Sequence, residues 1–223
     1  MIRPQKEVPR EVVLEEGALV LGVQLATGVR QRLLAYLDLI ARWNRIYNLT
    51  AVRDPDEMLV QHVLDSLAVV APLRRRVAEG STVLDVGSGA GLPGVVLATA
   101  FPGLKISCVD AVDKKASFLR QVAAELELQN LEALHARVES LAPRRWDLIT
   151  SRAFASLNRF CALTQPVLAH GGVWMAMKGR RPVEEIEALT SAINVFHVEP
   201  LQIPGLEAER CLVWMRPSDD LAA

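Results

Sequence analysis

In the first third of the chain, apolar residues recur at helical spacing. Leu33, Leu37, Ile40, Trp43 and Tyr47 form one stripe, and Leu59, Val63, Leu67 and Val70 form another. Two long amphipathic helices are therefore predicted. The second carries a start signal in D-P-D-E: Asp54 as N-cap, Pro55 at the first helical position and Glu57 three residues after the cap. Between the stripes, Y-N-L-T-A-V reads as a short bend, and a further helix is predicted over residues 11 to 23, ending near Gly22. Beyond residue 80 the pattern changes to strand, turn and helix in alternation. Strands are predicted over 83–86, 105–109, 131–135, 146–150 and 172–177, with helices over V-V-L-A-T-A-F, stopped by Pro102-Gly103, and over 114–125. Such alternation means a parallel sheet covered by helices on both faces. The last two strand-like segments, 195–203 and 209–216, are joined by P-G-L-E-A, too short for a crossover helix, so they pair antiparallel. The expected architecture is α/β: a helical region over residues 1–78, then a Rossmann-like, mostly parallel seven-stranded sheet over 79–223 closed by an antiparallel hairpin.

Composition narrows the classes. With 223 residues, 51% of them hydrophobic, the chain can bury a sizeable core, which excludes disorder. Mean hydropathy is positive at +0.21, yet charge, Gly or Pro interrupts every apolar run before the ~20 residues that span a bilayer. A soluble protein without a membrane partner is expected, and since M-I-R-P-Q-K-E-V-P-R lacks a secretory apolar stretch, a cytoplasmic one. The three cysteines, Cys108, Cys161 and Cys211, are far apart in apolar strings. They read as core residues, and neither a disulfide framework nor a metal site is expected. The net charge of −1 gives no general surplus for phosphate neutralisation. Any nucleic acid must be met through local clusters: Arg42/Arg45/Arg53, Arg74–Arg76, Arg144-Arg145 or Lys178/Arg180/Arg181. Each also has an ordinary reading as a solvated loop or helix end, and for the first three clusters that reading comes first.

The most informative stretch is V-L-D-V-G-S-G-A-G-L-P-G, residues 83 to 94, where a strand meets a helix. Its glycines permit a tight turn with backbone amides facing a ligand. Gly89-x-Gly91-x-x-Gly94, with Asp110 about 20 residues on, satisfies the dinucleotide fingerprint. Read from Asp85, however, the motif is D-x-G-x-G-x-G, and a carboxylate beside a pyrophosphate adds like-charge repulsion. It suits the ammonium and sulfonium of S-adenosylmethionine, with Asp85 arranging the methionine end, the amides of the Gly87-Ser88-Gly89 and Gly91 turn facing the carboxylate, and Asp110 serving the ribose. Pro93 sits where a dinucleotide helix needs free amides. Together with the terminal hairpin, the loop favours a class I S-adenosylmethionine-dependent methyltransferase over an NAD-dependent oxidoreductase. A non-catalytic RNA-binding module is a further alternative.

The acceptor can also be narrowed. The Asn/Asp-Pro-Pro-Tyr/Phe motif of exocyclic-amine methylation is replaced by D-L-I-T-S-R-A-F-A-S-L at 147 to 157, and no cysteine lies in a loop suited to attack a pyrimidine ring. An acceptor already nucleophilic at neutral pH remains, and guanine N7, with its in-plane lone pair, fits. Arg137 and Arg152, each following a predicted strand at the ligand-binding edge, then have positioning rather than base roles.

At this point the chain resembles the bacterial 16S ribosomal RNA guanine-N7 methyltransferases of the RsmG/GidB family. The resemblance rests on W-N-R-I-Y-N-L-T-A-V-R-D-P-D-E-M-L-V-Q-H-V-L-D-S-L at 43–67, L-D-V-G-S-G-A-G-L-P-G at 84–94, V-D-A-V-D-K-K-A-S-F-L at 109–119, R-V-E at 137–139, S-R-A-F-A-S-L at 151–157 and M-K-G at 177–179. It implies that Gly87, Leu92, Val138, Glu139 and Arg152 contact S-adenosylmethionine with Asp110 nearby. The implied substrate is a guanine in the decoding region of 16S RNA, in the 30S subunit or an assembly intermediate, and the expected enzyme is a monomer. Candidate RNA contacts are Asn48, Arg53, Lys178, Arg180 and Arg181; Asn48 could equally cap the neighbouring turn. His62, at helical spacing from Asp65 and Ser66, reads as a hydrogen-bonded interface residue shaping the roof of the cofactor pocket, and Trp43 as packing more than base stacking.

Overall fold

The computed structural model describes residues 8–218. Helix α1 (Arg10–Val20) ends at Gly22, whose φ of +71° closes the last turn. Helix α2 (Thr27–Tyr47) carries the first stripe, and Leu33, Leu37 and Ile40 are buried. Its C-cap is Asn48 in the left-handed conformation. The following bend is fixed by Asn44, which donates to Val52 O (3.1 Å) and accepts from Thr50 N (3.0 Å).

The expected cap of the next helix is present: Asp54 accepts from the amides of Asp56 and Glu57, both at 2.9 Å. The second stripe departs from the simple expectation of one long α-helix. Pro55–Met58 runs into a π-wound stretch, Leu59–Leu64, then Asp65–Leu67, together α3, before a turn leads to α4 (Val70–Arg74). From His62 onward every side chain to Val70 is buried. A regular amphipathic helix leaves one face to solvent, whereas this segment is enclosed on all sides by the other helices and the sheet.

Strands β1 (Thr82–Val86), β2 (Lys105–Asp110), β3 (Leu131–His135), β4 (Trp146–Arg152), β5 (Leu168–Lys178), β6 (Ile193–Leu201) and β7 (Arg210–Pro217) form one sheet in the order β3-β2-β1-β4-β5-β7-β6. The first five are parallel; β6 and β7 pair antiparallel, as predicted, and β7 also runs antiparallel to β5, which places it between β5 and β6. Helices α5 (Gly94–Ala100), α6 (Asp113–Glu125), α7 (Leu157–Thr164) and α8 (Val183–Glu187) complete the chain.

Strand periodicity divides the core. Val83, Ile106, Leu148, Met175 and Trp214 face one side, where α1–α6 pack in the same apolar cluster. Leu84, Val109, Ile149, Trp174 and Val213 face the other, under α7. All three cysteines are buried and free, in agreement with the core reading. No helix of the described residues is long and apolar enough to cross a membrane.

Candidate active site

The β1–α5 turn is held by its own polar groups. Gly87 N and Ser88 N donate to Val109 O at 2.9 and 3.2 Å, and Gly89 N donates to Asp110 Oδ2 at 3.0 Å. Asp85 is fully buried, and its Oδ2 accepts from Gly94 N at 3.0 Å, the first amide of α5. Burial pushes its carboxyl up to about 6, against the opposing effect of that amide. A carboxylate therefore already satisfies the first amide of α5 from behind the turn and sets a negative charge close to the helix N-terminus. Its Oδ1 is buried without a partner. Asp85, expected to arrange the methionine end, has no exposed surface: its side chain lies behind the loop, bonded to Gly94 N, and faces the cavity only through its charge.

A cavity of about 720 Å³ opens at the C-terminal edge of β1, β2 and β4. It falls within the size range of small-molecule sites. Gly87, Asp110, Arg137, Val138 and Glu139 line it together. Ser88, Gly89, Gly91 and Leu92 are not on its wall; Ser88 and Leu92 are buried behind the turn. Asp110 has both oxygens engaged, by Gly89 N and by Val112 N (2.9 Å), with Lys115 Nζ 3.6 Å away. Sequence reasoning missed Lys115, Ser156 and above all Phe154 as cavity residues. Phe154 was within reach of the sequence, since it stands inside the S-R-A-F motif. Its ring covers Gly87, where an added Cβ would lie 2.7 Å from Cδ2 and the φ is +68°. Only glycine allows this approach. From the other side, Tyr36 of α2 donates its hydroxyl proton to Ala90 O at 2.6 Å, pinning the turn to the helical region.

Arg152 stands outside the cavity lining. Its Nη1 donates to Gln61 O at 2.9 Å and to Asp65 Oδ2 at 3.0 Å, while Arg210 Nε donates to Asp65 Oδ1 at 2.9 Å. Asp65, 1% exposed, thus joins α3 to the ends of β4 and β7. His62 is buried beside this triad with Nε2 2.8 Å from Thr50 Oγ1. Burial first, and the Arg152 charge second, hold its pKa below the usual histidine value. The expected hydrogen bond is made within the helical region, to Thr50 in the bend, and His62 is not on the wall of the cavity whose roof it was expected to shape.

Of the RNA candidates, Arg53, Arg180 and Arg181 are exposed. Asn48 accepts from Arg53 Nη2 at 3.3 Å and caps α2, the second of its two sequence readings. Lys178 needs correction: its ammonium donates to both carboxylate oxygens of Glu185 (3.0 and 2.8 Å) and to Ala155 O (3.1 Å). Already neutralised, it is poorly placed to meet a phosphate. Glu185 also accepts from Leu157 N at 2.7 Å, so the pair fixes the cavity loop and the start of α7. Arg75 and Arg76 pair with Glu199, and Arg144 with Glu132, so these arginines are tied to neighbouring strands rather than simply solvated. Among the described residues no group of three or more His, Cys, Asp or Glu could hold a metal ion.

The family described as GidB, rRNA small subunit methyltransferase G, matches residues 29–213. The chain belongs to this family. A ribosomal RNA small subunit methyltransferase G of Methylibium petroleiphilum is 64% identical over 203 residues, covering 91% of this chain and 92% of the relative. Among solved structures, TrmN from Thermus thermophilus superposes with a TM-score of 0.56 at 19% identity, over 72% of this chain and 53% of that one. Ribosomal protein L11 methylase from Lactobacillus delbrueckii subsp. bulgaricus gives 0.55 at 15% identity, over 69% and 78%. At such identities the structural likeness establishes the fold, a Rossmann-like methyltransferase sheet with an antiparallel terminal hairpin.

Proposed function

We propose that the chain transfers a methyl group from S-adenosylmethionine to N7 of a guanine in 16S ribosomal RNA, within the 30S subunit or an assembly intermediate, as a cytoplasmic monomer. The helical region over residues 1–78 acts as a cap on the methyltransferase domain over 79–223. The observation that carries the reading is the Asp85–Gly94 contact beside the 720 Å³ cavity. It opposes a pyrophosphate at the α5 N-terminus and leaves a cavity of suitable size rimmed by Asp110 and Glu139. S-adenosylmethionine supplies an electrophilic methyl group on its sulfonium. Asp110 and Glu139 offer acceptor oxygens to ribose hydroxyls or the ammonium, Val138 and Phe154 offer apolar contact, and the unpartnered Asp85 Oδ1 adds negative potential behind Gly87.

No residue needs to take a proton before attack, because the N7 lone pair is already available. The work of the site is alignment and charge placement. As the N7–C bond forms and the S–C bond breaks, S-adenosylhomocysteine leaves with a neutral sulfur and the positive charge passes to the purine, so Arg137 on the cavity rim and Arg152, outside it and held by Asp65, have positioning rather than charge-stabilising roles. Isothermal titration with S-adenosylmethionine, S-adenosylhomocysteine and NAD tests the cofactor. Transfer of tritium from labelled S-adenosylmethionine to 30S particles, followed by N7-specific strand cleavage, tests the acceptor. Binding of NAD alone, or label on a base other than guanine, overturns the reading.

A further inference from the structure

The cavity described above occupies only half of the sheet's ligand-binding edge. A second cavity, about 650 Å³, lies over the other half, where Gly179 after β5, Leu201 at the end of β6 and Arg210 at the start of β7 converge. Val198, Ile203 and Leu206 give it apolar lining, and Arg180, Arg181, Glu207 and Glu209 give it charge. The two arginines are exposed, and among the described residues neither guanidinium has an ion-pair partner. Their neighbour Lys178, by contrast, is neutralised by Glu185.

Two bridges connect the cavities. Arg210, on the lining of the second, shares Asp65 with Arg152, which directly precedes the Ala153–Ser156 loop lining the first. Lys178, one residue before Gly179, donates to Ala155 O in that same loop. The walls of the two cavities are thus joined by hydrogen bonds along one edge of the sheet.

We propose that this cavity receives one unpaired nucleotide of the acceptor RNA flanking the methylated base. Its phosphate lies on Arg180 and Arg181 and its base against the apolar lining. The inference rests on the acceptor being RNA, as proposed above. A nucleotide fits the volume, and unpaired bases are the part of RNA that proteins read by packing and hydrogen bonding. Glu207 and Glu209 repel a second phosphate, which keeps the backbone at the arginines. They also accept from exocyclic amino groups, which adenine, cytosine and guanine have and uracil lacks.

The test is fluorescence anisotropy of labelled single-stranded hexanucleotides over a salt series, with S-adenosylhomocysteine titration as the independent measure of the cofactor site. The variants are R180A/R181A, at exposed positions that folding does not need, and Leu206→Trp, which fills the cavity. The double variant should weaken RNA binding at least 10-fold and flatten the logarithmic salt slope by about 0.7, the release expected for one phosphate on a single strand. Leu206→Trp should weaken binding several-fold with an unchanged slope, and oligouridylate should bind less tightly than oligoadenylate. S-adenosylhomocysteine affinity should stay constant throughout. Unchanged RNA affinity and slope in R180A/R181A overturns the proposal even if Leu206→Trp misfolds, as does a wild-type chain that binds no RNA. A change from dimer to monomer on sedimentation of either variant would assign the cavity to a second copy and also overturn it. Loss of S-adenosylhomocysteine binding by the wild type would instead overturn the methyl-transfer reading, leaving the RNA result to stand on its own measurement.

Discussion

Replacing Asp65 by Asn should destabilise the fold measurably, because its carboxylate neutralises two arginines at the meeting of α3, β4 and β7. Asp65 is 1% exposed, and the side chains of Arg152 and Arg210 are 24% and 26% exposed. Each of the two charge-assisted hydrogen bonds contributes on the order of 1.5–3 kcal/mol. Removing the central charge leaves two nearby guanidinium groups facing each other without a counter-ion. Asn retains one acceptor, and the partial exposure of the arginines lets water replace some of the lost pairing. The expected loss is therefore about 2–4 kcal/mol, well above the usual effect of a single substitution. For a chain of this length that corresponds to roughly 5–12 °C in Tm. Urea unfolding followed by tryptophan fluorescence measures it, and Arg210→Ala with the double variant closes a cycle whose coupling should exceed about 1 kcal/mol. Arg152, freed from Asp65, should also lower S-adenosylhomocysteine affinity in Asp65→Asn more than in Arg210→Ala. If Asp65→Asn unfolds within about 0.5 kcal/mol of wild type and the cycle is additive, the triad does not hold the helical region to the sheet and the reasoning fails.

Three further outcomes follow from the site. Gly87→Ala forces a Cβ to 2.7 Å from the Phe154 ring at a φ of +68°, so S-adenosylhomocysteine affinity should fall at least 10-fold while urea unfolding changes by only about 1–2 kcal/mol; unchanged affinity would show that the Phe154 loop does not close on the ligand. Asp85 has its native pKa raised to about 6 from 3.8, so the native state binds more protons than the unfolded state between those values and wild-type stability falls as pH rises through them. Relative to wild type, Asp85→Asn should gain up to about 3 kcal/mol between pH 4 and pH 7, read from urea midpoints, and a pH-independent difference would refute the buried charge. Glu185→Gln should release Lys178 and the Ala155–Leu157 loop, raising the KM for S-adenosylmethionine several-fold, whereas an unchanged KM would restrict the pair to stability.

Much of this molecule was determined locally and is legible in the sequence. Apolar spacing of three to four residues identified α2, alternation identified the strands, Asp54 announced its helix, and the short P-G-L-E-A connection required the antiparallel hairpin. The glycine turn likewise advertised a ligand at the edge of β1, since its residues act within a dozen positions of one another. Tertiary structure decided what the charged side chains do. Asp65 meets Arg152 and Arg210 across 87 and 145 residues, Tyr36 reaches Ala90 across 54, and no periodicity records such pairs. Lys178 reads as a free cation in sequence and is neutralised in the fold, because α8 brings Glu185 against it. Asp85 reads as a ligand contact, yet it is fully buried with its Oδ2 on the amide of Gly94. The π winding of Leu59–Leu64 belongs with these: apolar spacing predicts a helix there and does not distinguish how that helix is wound. Local pattern depends on neighbours along the chain, whereas the state of a charge depends on whichever groups folding brings within about 4 Å of it.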